Sequence, residues 1–194
     1  MKFLCLIISA LALTGVVAQE SAPLKVVALH PLMADLAGKV GGDHVQVVSL
    51  MTATDDPHHF TPTPTMLHNA NGAKLYLASG MGLETYLAKL RDTLASQAVL
   101  LEVGKSIPAR KVQAHHHDHD HGDHDHHHAS SADPHWWHNI GNMQRAADIV
   151  AKAFAAADPE NAAAYQKNAR QYRTELAKLE GWVKRELIRI PRAD

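Results

Sequence analysis

Four short apolar runs, spaced by segments of a different periodicity, constrain this chain more than any other feature. Leu24-Lys-Val-Val-Ala-Leu29 stops at His30-Pro31, and Val45-Gln-Val-Val-Ser-Leu50 follows the pair Gly41-Gly42. Lys74 to Ala78 and Gln97 to Leu101 are the third and fourth runs. Pro31 suits the first turn of a helix, and Leu32, Leu36 and Val40 follow it at helical spacing. A short helix is expected from Thr65 to Asn69, and an amphipathic one from Leu83 to Leu94 with Leu83, Leu87, Leu90 and Leu94 on one face. The segment from Met51 to Pro64 has no periodicity and reads as a loop. Strands alternating with helices in this way imply right-handed crossovers and a parallel sheet. The expected fold class is α/β, a lobe with a roughly four-stranded parallel sheet flanked by helices.

Val103 to Asp133 shows no periodicity and reads as a long surface loop. Beyond Pro134 the pattern becomes helical, with Met143, Ala146, Ala147, Val150 and Phe154 on one face. Asp158-Pro159-Glu160 is a helix restart: Asp158 as N-cap, proline at the first position, an acid in the first turn. Tyr165, Ala169, Tyr172, Leu176, Leu179, Val183 and Leu187 then step by three or four until Ile190-Pro191. One small lobe is not expected to cover the whole of so long an apolar stripe.

The N-terminus has the form of a secretory signal over residues 1–18: Lys2, an apolar run from Phe3 to Val17, and short side chains up to Ala18. The single cysteine, Cys5, falls inside that signal, too early for lipid attachment at the cleavage point. A soluble exported protein without disulfides or thiolate metal sites is expected. With 19 basic and 20 acidic residues the formal net charge is −1, so no basic excess points to nucleic acid.

Histidine is the abnormal count. Of sixteen in the chain, nine fall between His115 and His128: His115, His116, His117, His119, His121, His124, His126, His127 and His128. Four aspartates and one glycine complete the tract, which holds no apolar residue and so gains nothing by burial. Neutral imidazoles in overlapping sets make it a chelator of several weakly held ions, suited to zinc, copper or nickel. Within it, His119-Asp-His121-Gly-Asp123-His124 matches a metallo-hydrolase pattern. A sequence built mainly of two residue types generates such matches by chance, and catalytic ligands need fixing by regular structure. No nucleophile–base pair or phosphate loop accompanies it, so no enzyme is expected.

Two smaller motifs say more. Asp56-Pro57-His58-His59-Phe60 lies in the loop after the second strand, and Asp133-Pro134-His135-Trp136-Trp137 opens the first long helix. In each, proline restrains the backbone before the histidine, and the aspartate can orient the ring or cap the next turn. Adjacent aromatic side chains would exclude water. Either motif alone could be turn chemistry; two in one lobe beside a chelating tract favour metal.

These motifs, with the Lys25-Val-Val-Ala start and Gly80-Met-Gly-Leu-Glu84, resemble the periplasmic metal-binding receptors of ABC importers for zinc and manganese. The His/Asp-rich loop before the second motif resembles their ZnuA-like zinc branch in particular. That resemblance implies two α/β lobes joined by a long rigid helix, with one metal ion in the cleft. It implies His58 and His135 as the first-lobe ligands, with His59 a less favoured substitute for His58. Glu84 is expected to cap or pack, and His30, His44, His68 and His138 carry no ligand motif. It further implies a second lobe supplying a third histidine and an acid, whereas this sequence ends at Asp194. The expected organisation is a signal (1–18), an N-terminal metal-binding lobe with the tract (19–138) and long interlobe helices (139–191), with the second lobe absent.

The implied function is capture of zinc, as carried ion, in the periplasm and its delivery to a membrane permease. Manganese is the less favoured ion, nucleic acid is not a partner, and a monomer is expected. The alternative is a periplasmic zinc buffer or chaperone acting through the tract.

Overall fold

The computed structural model describes residues 22–108 and 133–190. Strands β1 (Leu24–Ala28), β2 (Val45–Ser49), β3 (Leu75–Ala78) and β4 (Val99–Glu102) form one parallel sheet in the order β2-β1-β3-β4. Val26 pairs with Val47 on one side and with Leu75 on the other, and Tyr76 pairs with Leu100. The central strands are buried on both faces, which is why they read as continuous apolar runs. The expected parallel α/β architecture is the one found.

The strand order carries the chain one way from β1 to β2 and then back across β1 to β3. Right-handed crossovers therefore put successive helices on opposite faces. On one face, Val26, Ala28, Leu75 and Leu77 pack with Met33, Leu36 and Val40 of α1 (Pro31–Gly41). On the other, Val27, Leu29, Tyr76 and Ala78 pack with Ala70, which follows α2 (Pro64–Asn69), and Leu90 of α3 (Leu87–Thr93). The reversal of strand order lies between β1 and β3, and in open α/β sheets ligands bind outside the carboxyl ends of the strands at such a point.

Helices α4 (Ile140–Ala157) and α5 (Ala162–Leu187) pack along each other on the α1 face. The five apolar positions expected on α4 are all buried, and Phe154 meets Tyr165 edge to face at 5.3 Å. Tyr165, Ala169 and Leu176 belong to the same core as the sheet. Further along α5 the stripe emerges: Leu179 and Leu187 are 46% and 58% exposed and Val183 is half-buried, with Trp182 beside it 53% exposed. Among the described residues, the stripe is covered mainly in its first half.

Two local readings differ from the structure, and a third is refined by it. The helix expected from Leu83 begins only at Leu87, because Gly80, Met81 and Gly82 all take positive φ (80°, 57° and 84°) and hold the chain in a left-handed turn. The expected surface loop after β4 starts with a 3₁₀ turn, Val103–Ser106, which sinks Val103 and Ile107 into the core. The restart expected at Asp158-Pro159-Glu160 is found as a 3₁₀ turn, Pro159–Asn161, which runs directly into α5; Asp158 stands at its N-cap position and Glu160 in its first turn. The Asp158 carboxylate accepts from the Tyr165 hydroxyl (2.6 Å) and Asn161 Nδ2 (2.8 Å). Burial works to raise the Asp158 pKa, but those hydrogen bonds prevail and hold it below the ordinary value.

The signal at 1–18, the histidine tract at 115–128 and Pro191 lie outside the described residues. Among the described residues no helix is long and apolar enough to cross a membrane.

Candidate metal centre

The two Asp-Pro-His motifs meet at the carboxyl end of the sheet. His58 comes from the loop after β2, and His135 immediately precedes the 3₁₀ turn Trp136–His138 that leads into α4. Their Nε2 atoms stand 3.4 Å apart, with ring centroids 5.4 Å apart. That separation is long for a hydrogen bond between ring nitrogens. It matches two imidazoles sharing one tetrahedral ion, since nitrogens at 2.0–2.1 Å from zinc stand ~3.3–3.4 Å apart.

Asp133 orients the second ring. Its Oδ1 lies 2.8 Å from His135 Nδ1 and 3.0 Å from the His135 backbone N, which donates to it. With Nδ1 protonated towards the carboxylate, the Nε2 lone pair is the one presented to His58. A metal-bound imidazole has its other nitrogen engaged in this way.

The first motif is built differently. Asp56 Oδ1 accepts the His58 backbone N–H (2.9 Å), but Oδ2 pairs with the ring of His59 (2.7 Å), not of His58. The His59 ring bond, then the His58 N–H, hold the Asp56 carboxyl below the usual carboxylate range. His59 is thus turned to its own aspartate, with a side chain 85% exposed, while His58 faces His135. Phe60 contributes to the core on the far side of the sheet from α1. It packs edge to face on Tyr86 at 5.9 Å.

On the second motif the aromatics divide their work. Trp137 lies between two imidazoles, 5.3 Å from His135 and 5.3 Å from His30. Trp136 is buried, and its indole N–H is shared by the carbonyl (3.2 Å) and Oγ (3.0 Å) of Ser79 at the end of β3. The sequence reading did not single out Trp136. No local signal marks it, because the burial that obliges the indole to find an acceptor is a tertiary property.

The remaining candidates take structural places. His30 caps α1, its Nδ1 accepting from the Leu32 N–H at 3.2 Å, and burial pushes its pKa down. Glu84 packs and caps as expected, accepting from the backbone N–H groups of Ser79 (2.6 Å) and Gly80 (2.9 Å). Burial raises its carboxyl pKa despite those bonds. His44 meets the edge of Tyr165, and His68 lies in the last turn of α2. His138 is exposed, its ring 6.3 Å from His135.

A cavity of about 560 Å³ beside the pair is lined by Pro108, Asp133, His135, Trp136, His138, Asn139 and Asn142. Pro108 and Asp133, the described residues on either side of 109–132, both line this cavity. Among the described residues no group of three or more histidine, cysteine or acidic side chains is placed to hold a metal ion. The structure brings together two imidazoles, which can fill half of a four-coordinate shell.

A sequence model of the family described as zinc-uptake complex component A, periplasmic (ZnuA), matches residues 26–194. The manganese-binding lipoprotein MntA of Bacillus subtilis is 30% identical over 168 residues, which are 87% of this chain and 51% of that protein. The manganese ABC transporter substrate-binding lipoprotein PsaA of Streptococcus pneumoniae is also 30% identical, over 89% of this chain and 54% of its own length. The chain spans about half the length of these curated relatives. Both relatives are named as metal-binding or substrate-binding lipoproteins, not as enzymes. Among solved structures, a ZnuA deletion mutant with zinc bound superposes with a TM-score of 0.75 at 26% identity, covering 88% of this chain and 60% of that one. The manganese-bound periplasmic metal-binding protein of Candidatus Liberibacter asiaticus gives 0.66 at 25% identity, over 78% of this chain and 52% of that one. The residues matched, the parallel lobe and the length of the match together place this chain in the ZnuA family of metal-uptake components.

Proposed function

We propose that this chain captures zinc through His58 and His135 and delivers it to the membrane permease of an ABC importer. The observation that carries the reading is the 3.4 Å approach of the two Nε2 atoms, with Asp133 fixing the tautomer of one ring. Zinc is favoured over manganese because both ligands are nitrogens and their separation suits a tetrahedron; oxygen-rich sites suit the harder ion. Relatives named for manganese make ion identity the point to test. Two further coordination positions are filled by water or by donors outside this pair.

In this reading residues 1–18 direct export to the periplasm and the mature protein is a soluble monomer. The unit spanning 19–138 holds the metal, and 139–191 is the connecting helical part. The nine histidines from His115 to His128 are auxiliary low-affinity sites. The competing reading, a buffer working through the tract alone, is disfavoured by an imidazole pair that lies outside the tract.

Elemental analysis after dialysis against zinc with excess manganese tests this. The full-length chain, with and without asparagine in place of the nine tract histidines, is predicted to retain zinc in both forms. Retention of manganese would overturn the choice of ion. Loss of all binding with the tract histidines would favour the buffer.

A further inference from the structure

Among the described residues, the buried polar or charged side chains are Ser79 (fully buried) and Glu84 (2% exposed). Burying such groups is costly unless every bond is made, and apolar residues of similar size would fill the space at less cost. Both sit on one turn at the exit of β3, and their bonds run in one direction. The Glu84 carboxylate holds the N–H groups of Ser79 and Gly80. The Ser79 carbonyl and hydroxyl hold the Trp136 indole, and the carbonyl also accepts the Gly104 N–H at 2.8 Å. The carbonyl of Trp136 accepts from Asn142 Nδ2 (3.0 Å) and the Asn139 N–H (3.3 Å). The residue next to His135 is thereby fixed at its side chain and at its backbone.

We propose that Ser79, held by Glu84, is a positioning residue for His135 and acts on it through the Trp136 indole. This rests on the reading of His135 as a metal ligand. Ser79 does not touch the His135 ring, whose own contacts are Asp133, His58, Trp137 and His138. Its action is to fix where the backbone of the Asp133–Trp136 motif sits, and hence where Nε2 stands relative to His58. Sites of this kind need their donors held within ~0.5 Å, and Asp133 orients the His135 ring while this chain of bonds fixes the backbone that carries it.

The test is a double-mutant cycle read by competitive zinc titration, in the full-length chain with asparagine at the nine tract histidines. Ser79→Ala and Trp136→Phe are each made alone and with His135→Ala, and the thermal midpoint of every metal-free variant is recorded. Trp136→Phe is expected to weaken zinc binding about tenfold, and Ser79→Ala by less in the same direction. Neither should weaken it further once His135 is gone. A merely structural role would lower the midpoint while leaving affinity unchanged, or cost the same affinity in the His135→Ala background; either result overturns the proposal. Ser79→Ala keeps the indole and the carbonyl acceptor, so it decides the matter if Trp136→Phe does not fold. If His135→Ala itself leaves zinc binding intact, the metal-ligand reading fails and this inference falls with it. If His135→Ala weakens binding and the other two do not, only this inference fails.

Discussion

His58 and His135, 77 residues apart in sequence, bring their Nε2 atoms to 3.4 Å at the carboxyl end of the sheet. Neither residue is placed by its own loop alone. His58 is set by the chain leaving β2, which β1 pairs in register, and His135 by a turn bolted to the exit of β3. The pair is therefore a property of the sheet order β2-β1-β3, which puts those exits on either side of β1.

Asp133→Asn should weaken zinc binding about tenfold, the scale of partners that orient a ligating imidazole. The carboxylate accepts both from the His135 ring and from the His135 backbone N–H, and an amide oxygen is the poorer acceptor for each. Competitive titration of the full-length chain with substituted tract histidines checks it, and unchanged affinity would show that Asp133 does not orient a ligand.

Acidification should cost stability through His30. Burial holds the pKa of this ring below its ordinary value in the folded chain, so the unfolded chain binds the proton more readily. Its contribution is present above the unfolded value and is lost as pH falls from about 6.5 towards the depressed folded one. Protonation at Nδ1 also removes the acceptor for the Leu32 N–H. In His30→Asn, which retains a capping oxygen without the titration, the denaturation midpoint of the metal-free chain should fall less steeply over that range.

Gly104→Ala should destabilise the fold by about 1–3 kcal/mol, the usual cost of overpacking. An added Cβ would lie 2.5 Å from the Ser79 carbonyl oxygen and 2.9 Å from Trp136 Nε1. The first is backbone held by the sheet, and the second is fixed by its own hydrogen bonds. A thermal midpoint equal to that of the parent chain would mean that this junction is looser than the distances imply.

Phe154→Ala should cost about 3–5 kcal/mol, because the ring is fully buried against Tyr165 where α4, α5 and the sheet share a core. Trp182→Ser, on the exposed part of α5, should change stability by under about 0.5 kcal/mol. Urea denaturation of both variants measures the contrast.

The sheet was legible in the sequence because its central strands are buried on both faces and its helices are not, so the two periodicities separate cleanly. The imidazole pair was legible because each histidine sits in the same three-residue motif. What surrounds the pair was not. Asp56 and Asp133 occupy equivalent motif positions, yet one pairs with His59 and the other with His135, a difference set by tertiary packing. The start of α3 was misplaced because Leu83 keeps helical spacing while the backbone at Gly80, Met81 and Gly82 is left-handed. The Ser79–Trp136 bond joins residues 57 apart, and nothing local announces it.

The most direct test of the central claim is a competitive zinc titration of the full-length chain with its nine tract histidines replaced by asparagine, beside the same chain carrying His58→Ala or His135→Ala. One site is predicted, strongly weakened though still measurable on either substitution, because each imidazole supplies half of the proposed ligand pair. Zinc binding that persists undiminished in both variants would contradict the assignment of His58 and His135 as the metal-capturing pair.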